Sequence, residues 1–284
     1  MDWLERMNVA LDYIEDHLAD TIDYDRLSVL TLCPGNLFQR MFAVMTQMPL
    51  SEYVRRRRLS SAGMDLASGT EKVIDVALRY GYDSADAFAA AFKRLHGVSP
   101  SQAKRPGVTL THCPRLSFTL KLKGEKDMKY KIVERQAFKV VGKNLRTTQE
   151  QNMKEGSIPK FWGRCNTDGT VAGLCRLEPD KPLLGVCHGD APDGSFSYLV
   201  GLETARPADG YDTLAIPAAT WAVFPSVGPM PDAIQKVWHE IFTAFLPASK
   251  YDHAPIPDFE LYPEGDPAGP DYYCEVWIPI VAKR

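Results

Sequence analysis

Residues 73–100 read VIDVALRYGYDSADAFAAAFKRLHGVSP, and the fold of the N-terminal part turns on them. Val73, Ile74, Ala77 and Leu78 recur at helical spacing, and Gly81 stops that helix. Ser84 is placed to cap a second helix, in which Phe88, Ala91, Phe92 and Leu95 share one face. Gly97-Val98-Ser99-Pro100 closes it, and a short helix over 101–104 precedes Pro106-Gly107. Two helices joined by a tight turn, the second with a polar outer face, make a helix-turn-helix, the geometry that enters a DNA major groove.

Upstream, the pattern occurs again. Tyr24 to Thr31 predicts a helix, and Pro34 suits the first turn of another that continues through Leu37, Phe38, Met41 and Phe42. The two units then cover 24–45 and 73–96. A long helix from Ser51 through Tyr53, Val54, Leu59 and Leu66 joins them. Such a pair could read successive major grooves about 34 Å apart. Trp3, Leu4, Met7, Leu11, Ile14 and Leu18 predict one more amphipathic helix ahead of both.

After Pro106 the texture changes. Residues 107–127 read as a linker that can hold a strand or hairpin, because Ser117 to Lys123 alternates polar and apolar. Beyond it, strands are predicted near 129–134, 138–146, 183–188, 196–203, 214–217, 220–225, 259–263 and 272–280. Helices are predicted near 158–164 and 233–245. The order is strand-helix-strand-strand twice over, from about 128 to 203 and from about 214 to 280. The expected architecture is therefore multidomain. An all-α double helix-turn-helix domain spans 1–106, and an α+β domain of duplicated units spans 128–284.

Charge divides along the same line. Residues 26–105 hold 12 Lys and Arg against 6 Asp and Glu, whereas 127–284 hold 16 against 21. A basic module joined to an acidic one suits a DNA reader joined to something else. The six cysteines are scattered, with no C-x-x-C pair and no neighbouring His cluster, so no metal, cofactor or disulfide framework is expected. No apolar run approaches the roughly 20 residues of a membrane span, and the N-terminus lacks a signal pattern, so a cytoplasmic protein is expected.

The stretches Leu37-Phe38-Gln39-Arg40-Met41-Phe42, Tyr53-Val54-Arg55-Arg56-Arg57-Arg58-Leu59, Ile74-Asp75-Val76-Ala77-Leu78 and Gly81-Tyr82-Asp83-Ser84 carry a family signature. Together with Phe88, Phe92-Lys93-Arg94, Gly97 and Ser99-Pro100, they resemble the bacterial AraC family of transcription regulators. The right-origin-binding protein subgroup likewise puts its DNA module first. The resemblance implies base reading by Asn36, Gln39 and Arg40, residue types that pair with adenine and guanine edges. The alternative for Gln39 and Arg40 is a solvated helix face. It also implies that Arg55, Ser84, Lys93 and Arg94 complete the DNA-contacting set, mostly at phosphates. Two departures stand out. Leu32 replaces a usual Gly, and Pro34 a usual Ser cap. The second recognition helix, Ala85 to Phe92, carries alanines, including Ala90 where an Arg is usual, so it is expected to read sequence poorly and to act as a clamp.

The segments Ile158 to Trp162, Phe196 to Glu203, Thr220 to Phe224, Phe259 to Tyr262 and Tyr273 to Ile280 resemble the gyrase-inhibitor-like effector-binding domain. Alternation puts Tyr273, Glu275 and Trp277 on one strand face, and Val276, Ile278 and Ile280 on the other, under the helices. A carboxylate between aromatics suits an apolar, cationic ligand, and the resemblance places this Glu in the ligand cleft. The alternative is an edge-strand Glu in water. Trp162, Tyr198 and Trp221 are expected as cleft walls, or else as ordinary core, and Trp238 as core. The expected partners are double-stranded DNA and a small organic ligand, with RNA polymerase a further contact for such a regulator, in a monomer or weak homodimer. Two rival classes stay open: a hydrolase of small reactive compounds with Glu275 as general base, and a protein-contact module without ligand.

Overall fold

A computed structural model of the chain describes residues 2–119 and 128–283; part of the predicted strand in 117–123 lies outside them. Seven helices come first: α1 (Trp3–Asp16), α2 (Tyr24–Thr31), α3 (Gly35–Thr46), α4 (Leu50–Ala67), α5 (Val73–Arg79), α6 (Ala85–His96) and α7 (Pro100–Ala103). Contacts group the chain into two compact units. One holds Met7–Asp23 and Leu50–Thr119; the other holds Met1–Arg6, Tyr24–Pro49 and the described part of Leu120–Arg284. The boundary at 106 is thus one of sequence character, while by contact α2 and α3 belong with the C-terminal fold.

In the first unit, Leu59 and Leu66 of α4, Val76 and Ala77 of α5, and Phe88 and Phe92 of α6 form one buried cluster. Leu59, Leu66, Ala77, Phe88 and Phe92 are buried as helical spacing predicts, whereas Ile74 and Leu78, expected on the same face of α5, are exposed and Val76 and Tyr80 are buried there instead. Ser84 caps α6 by accepting from the Ala87 amide, and Ser99 and Gln102 form a reciprocal capping box on α7. Gly81 lies at φ +79°, the left-handed turn between α5 and α6 that costs glycine least. Residues 107–119 are tied down. Asn8 exchanges two hydrogen bonds with the Phe118 backbone, and Ser60 and Tyr53 accept from the Cys113 and Leu116 amides. Of the arginine run, Arg57 grips Glu15 with Nε and Nη2, and Arg58 donates to the Leu18 and Asp20 carbonyls.

The C-terminal fold runs β1 (Lys131–Arg135), β2 (Phe138–Thr147), α8 (Gln149–Glu155), α9 (Ser157–Thr167), α10 (Thr170–Leu177), β3 (Leu183–His188) and β4 (Phe196–Glu203). It continues β5 (Asp212–Ile216), β6 (Ala219–Val227), α11 (Asp232–Glu240), a π-helical turn Ile241–Phe245, α12 (Leu246–Ala248), β7 (Tyr251–His253), β8 (Phe259–Tyr262) and β9 (Tyr273–Ala282). The sheet order is β1-β6-β9-β8-β3-β4-β2-β5, with β7 on β9, and the described pairs are antiparallel. The duplication read from element order is therefore spatial as well. β2-β4-β3 of one half mirrors β6-β9-β8 of the other across the β3–β8 seam, and each half lends its first strand to the other's edge.

The two sheet faces bury different clusters. Phe161 and Cys165 of α9 cover Cys187, Phe196, Tyr198 and Val200 on the helix face. The opposite face buries Val140, Val186, Trp221, Phe259 and Trp277. There the Phe138 and Phe259 rings lie 5.8 Å apart although β4 and β3 intervene between their strands. In a flat sheet three strand spacings would separate them by roughly 14 Å. The sheet must curl, and this face becomes its inside.

Where β2 and β4 pair, Gly142 stands opposite Gly201. A methyl group on Gly142 would lie 2.1 Å from the Val200 carbonyl oxygen, whereas one on Gly163 of α9 meets nothing within 4 Å. Gly142→Ala is expected to destabilise the fold by about 2 kcal/mol or more through overpacking. Gly163→Ala is expected to be neutral or to stabilise by up to about 1 kcal/mol. Urea unfolding of both variants checks the contrast.

Candidate functional site

Between α9 and α11, over β3, β4 and β8, lies a cavity of about 1310 Å³. Ile234, Trp238 and Phe242 form the apolar stripe that seats α11, and Trp238 stacks on Phe242 at 5.4 Å. Trp238 is buried, and its Nε1 donates to Glu260 at 2.7 Å. Glu260 sits on β8 facing the helices. Tyr262 Oη donates to it at 2.7 Å and Tyr198 Oη at 3.3 Å. Trp162 of α9 donates in turn to Tyr198 Oη and meets Tyr262 edge-on at 5.2 Å. Among the described residues no Lys, Arg or His forms an ion pair with Glu260. Burial, then the Glu260 charge, pushes both tyrosine hydroxyls well above their ordinary range, so both remain donors. The exposed Lys181, Lys236, His239 and Glu264 lie at the rim.

Helix α3 supplies one wall of the cavity, through Arg40, Ala43, Val44 and Gln47. Its first turn lacks a side-chain cap, since Pro34 immediately precedes it and offers none. Pro34 is therefore the cap residue rather than part of the first turn. Asp190, from the loop after β3, accepts from the Asn36 amide at 3.2 Å and serves instead. Burial raises the Asp190 carboxyl, and the Asn36 and Gly35 amides offset part of that rise. Gln39 Nε2 donates to the Gly194 carbonyl at 2.9 Å. Arg40 pairs with Asp258 at 2.6 Å, and its guanidinium carbon lies 3.8 Å from the Trp238 ring centroid. Burial works against the Asp258 charge, but Arg40 and His253 outweigh it and hold that carboxyl below its usual range. Leu32, the departure from Gly before α3, lies at φ +56°. A leucine there costs about 1 kcal/mol relative to its ordinary conformations.

A family model described as a GyrI-like small molecule binding domain matches residues 128–281, and one described as a helix-turn-helix domain matches 35–106. The transcriptional activator AarP of Providencia stuartii is 38% identical over 91 residues, which are 32% of this chain and 67% of AarP. The right origin-binding protein of Escherichia coli K12 is 30% identical over 105 residues, 37% of this chain and 36% of that protein. A solved structure of SAV2435 bound to tetraphenylphosphonium is similar at TM-score 0.49 and 26% identity, over 54% of this chain and 94% of that one. The chain belongs to the AraC family.

This AraC-family chain is a DNA-binding transcription regulator that carries a GyrI-like small-molecule-binding domain. No described helix is long and apolar enough to cross a membrane, and no described cluster of three His, Cys, Asp or Glu could hold a metal ion.

Of the residues expected at the ligand cleft, Trp162 and Tyr198 line the cavity. Glu275, Tyr273, Trp277 and Trp221 do not. Glu275 is on the inner face of the curled sheet, 7% exposed, bonded by Lys131 and Tyr273 at one oxygen and by Trp277 Nε1 at the other. Burial opposes its charge, but those three partners outweigh it and depress its carboxyl. The helices cover Val276 and its neighbours, and the cavity lies on that same side, whereas Tyr273, Glu275 and Trp277 face the inside of the curled sheet. The carboxylate beside aromatics that does line the cavity is Glu260, with Trp238 and Tyr262. Their signal was present in Phe259-Glu260-Leu261-Tyr262, an equally alternating strand with a carboxylate beside aromatics.

Of the residues expected at DNA, Asn36 and Gln39 are 7% and 5% exposed, and Arg40 faces Asp258 and Trp238. In this conformation none is available to a base edge, and none lies on a solvated face either. Arg55 pairs with Glu52, and Ser84 caps α6. Lys93 and Arg94 are exposed, beside Asp86 and Ala90 on the outer face of α6.

Burial also sets thiol reactivity. Cys187, against Arg40 at 3.6 Å, has its thiol pushed far up by burial, whereas Cys175 at the cavity lining is exposed. Maleimide at neutral pH, read site by site by mass spectrometry, is expected to label Cys175 about a hundredfold or more faster than Cys187. Comparable rates would contradict the buried placement of Cys187.

Proposed function

We propose that the cavity binds an apolar organic cation against Glu260, and that occupancy of this site controls a sequence-specific DNA-binding regulator. One observation carries the reading: a carboxylate at the cavity floor is held by three aromatic donors and, among the described residues, forms no ion pair. A charge at such a site is costly unless a counter-charge arrives, and aromatic faces favour a cation that is itself weakly hydrated. The volume suits a drug-sized molecule, and the lining, apart from Glu260, is mostly apolar or aromatic.

On the DNA side, Asn36, Gln39 and Arg40 are the proposed base readers, and Arg55, Ser84, Lys93 and Arg94 the proposed phosphate contacts. The exposed second recognition helix presents alanines and Asp86 beside its two cations, which supports backbone contact over base reading.

Tetraphenylphosphonium, an apolar monovalent cation, is a suitable probe for calorimetric titration of the full chain. Glu260→Gln is expected to weaken it about tenfold or more, the equivalent of one lost charge contact of about 1.4 kcal/mol. Glu275→Gln is expected to leave affinity within about twofold. The reverse pattern would place the cation on the inner sheet face, and turnover of the probe would make the site catalytic.

A further inference from the structure

We propose that Arg40 fills the cation seat of the cavity from within, so that the first recognition helix is latched to the sensor fold and is released for DNA when an apolar cation takes Arg40's place. This deepens, and rests on, the reading of the cavity as a cation site.

The latch is a run of polar contacts along one helix. Asp190 caps the first turn of α3, the Gly194 carbonyl takes Gln39, and Asp258 takes Arg40. Of the three proposed base readers, Gln39 and Arg40 commit their side chains here and Asn36 its backbone amide, and a side chain committed to a buried protein partner cannot also pair with a base. Arg40 also copies what a ligand would do. Its guanidinium lies over the Trp238 ring, whose Nε1 holds Glu260. A cation seated on that ring face meets Arg40 first, and like charges in a buried site exclude one another. The latch is incomplete: Arg40 Nε is buried with no hydrogen-bond partner among the described residues. An unsatisfied buried donor makes the docked state easier to leave.

Two states follow. In the latched state α3 is docked and the seat is filled. In the released state the seat is empty and α3 is free. Ligand and DNA both require the released state, so each raises the other's affinity by the same factor. A substitution that weakens the latch removes part of the cost that both partners otherwise bear.

The test uses the full chain and Asp258→Asn, which breaks the ion pair with Arg40 while leaving every proposed base reader and every cavity-lining residue in the sequence unchanged. Tetraphenylphosphonium affinity is measured by calorimetry. Affinity is also measured, without ligand, for a duplex selected from a random pool by both chains. Hydrogen exchange of the peptide over 34–42 is followed in the wild type with and without the cation. Asp258→Asn is expected to bind both partners about tenfold tighter, as expected when the competent state is more populated. The cation is expected to speed exchange over 34–42. Equal cation binding by both chains, with unchanged DNA affinity and unchanged exchange, overturns the latch and leaves the cation cavity standing. Failure of the cation to bind either chain removes the premise and overturns the exchange of Arg40 for ligand, even if Asp258→Asn binds DNA more tightly. Should Asp258→Asn not fold, the wild-type exchange experiment decides alone: faster exchange with the cation supports the latch, and equal or slower exchange overturns it.

Discussion

The pairing of β8 with β9 governs this molecule. Leu261 stands opposite Glu275, and Glu260 opposite Val276, so two carboxylates on adjacent strands point to opposite faces of one sheet. One face is roofed by α9 and α11 and keeps an open cavity. The other curls on itself and packs Trp221, Phe259 and Trp277. A slip of one residue in β8 would turn Glu260 into the closed core and Leu261 toward the cavity. Glu275, on the closed side, is satisfied by Lys131, Tyr273 and Trp277 and ties β1 to the sheet. Glu260, on the open side, is held among the described residues by aromatic donors.

The same register fixes what α3 can touch. Trp238 reaches down to Glu260 and leaves a ring face that Arg40 covers. Asp258 follows the same loop into β8, two residues before Glu260, and anchors the guanidinium. Breaking one partner of such a buried pair costs more than the pair contributes, because the other charge is left uncompensated. A docked recognition helix therefore holds firmly until another cation or another set of partners is offered.

Much of this was legible in the sequence, for reasons that can be named. The strands at 183–188 and 196–203 are predicted to the residue because both are apolar runs bounded by Pro, Gly or Asp-rich turns. α8 was missed because Gln149–Glu155 has only Met153 as a large apolar residue and no stripe to detect. α10 was missed because eight residues give barely two turns of periodicity. The choice between Glu260 and Glu275 was beyond strand alternation, since both strands alternate and only the helix-covered face tells them apart. The docking of α3 was beyond it too. Gln39, Arg40 and their partners lie some 150 to 220 residues apart in sequence, and each is a residue type that is equally at home on a DNA-facing helix.

A crystal structure of the full chain with tetraphenylphosphonium bound is the most direct measurement. The account predicts ligand density between Trp238 and Glu260, with the Arg40 guanidinium turned off the indole and its contact with Asp258 broken. Density beside Glu275, or a bound cation with Arg40 still stacked on Trp238, would contradict it.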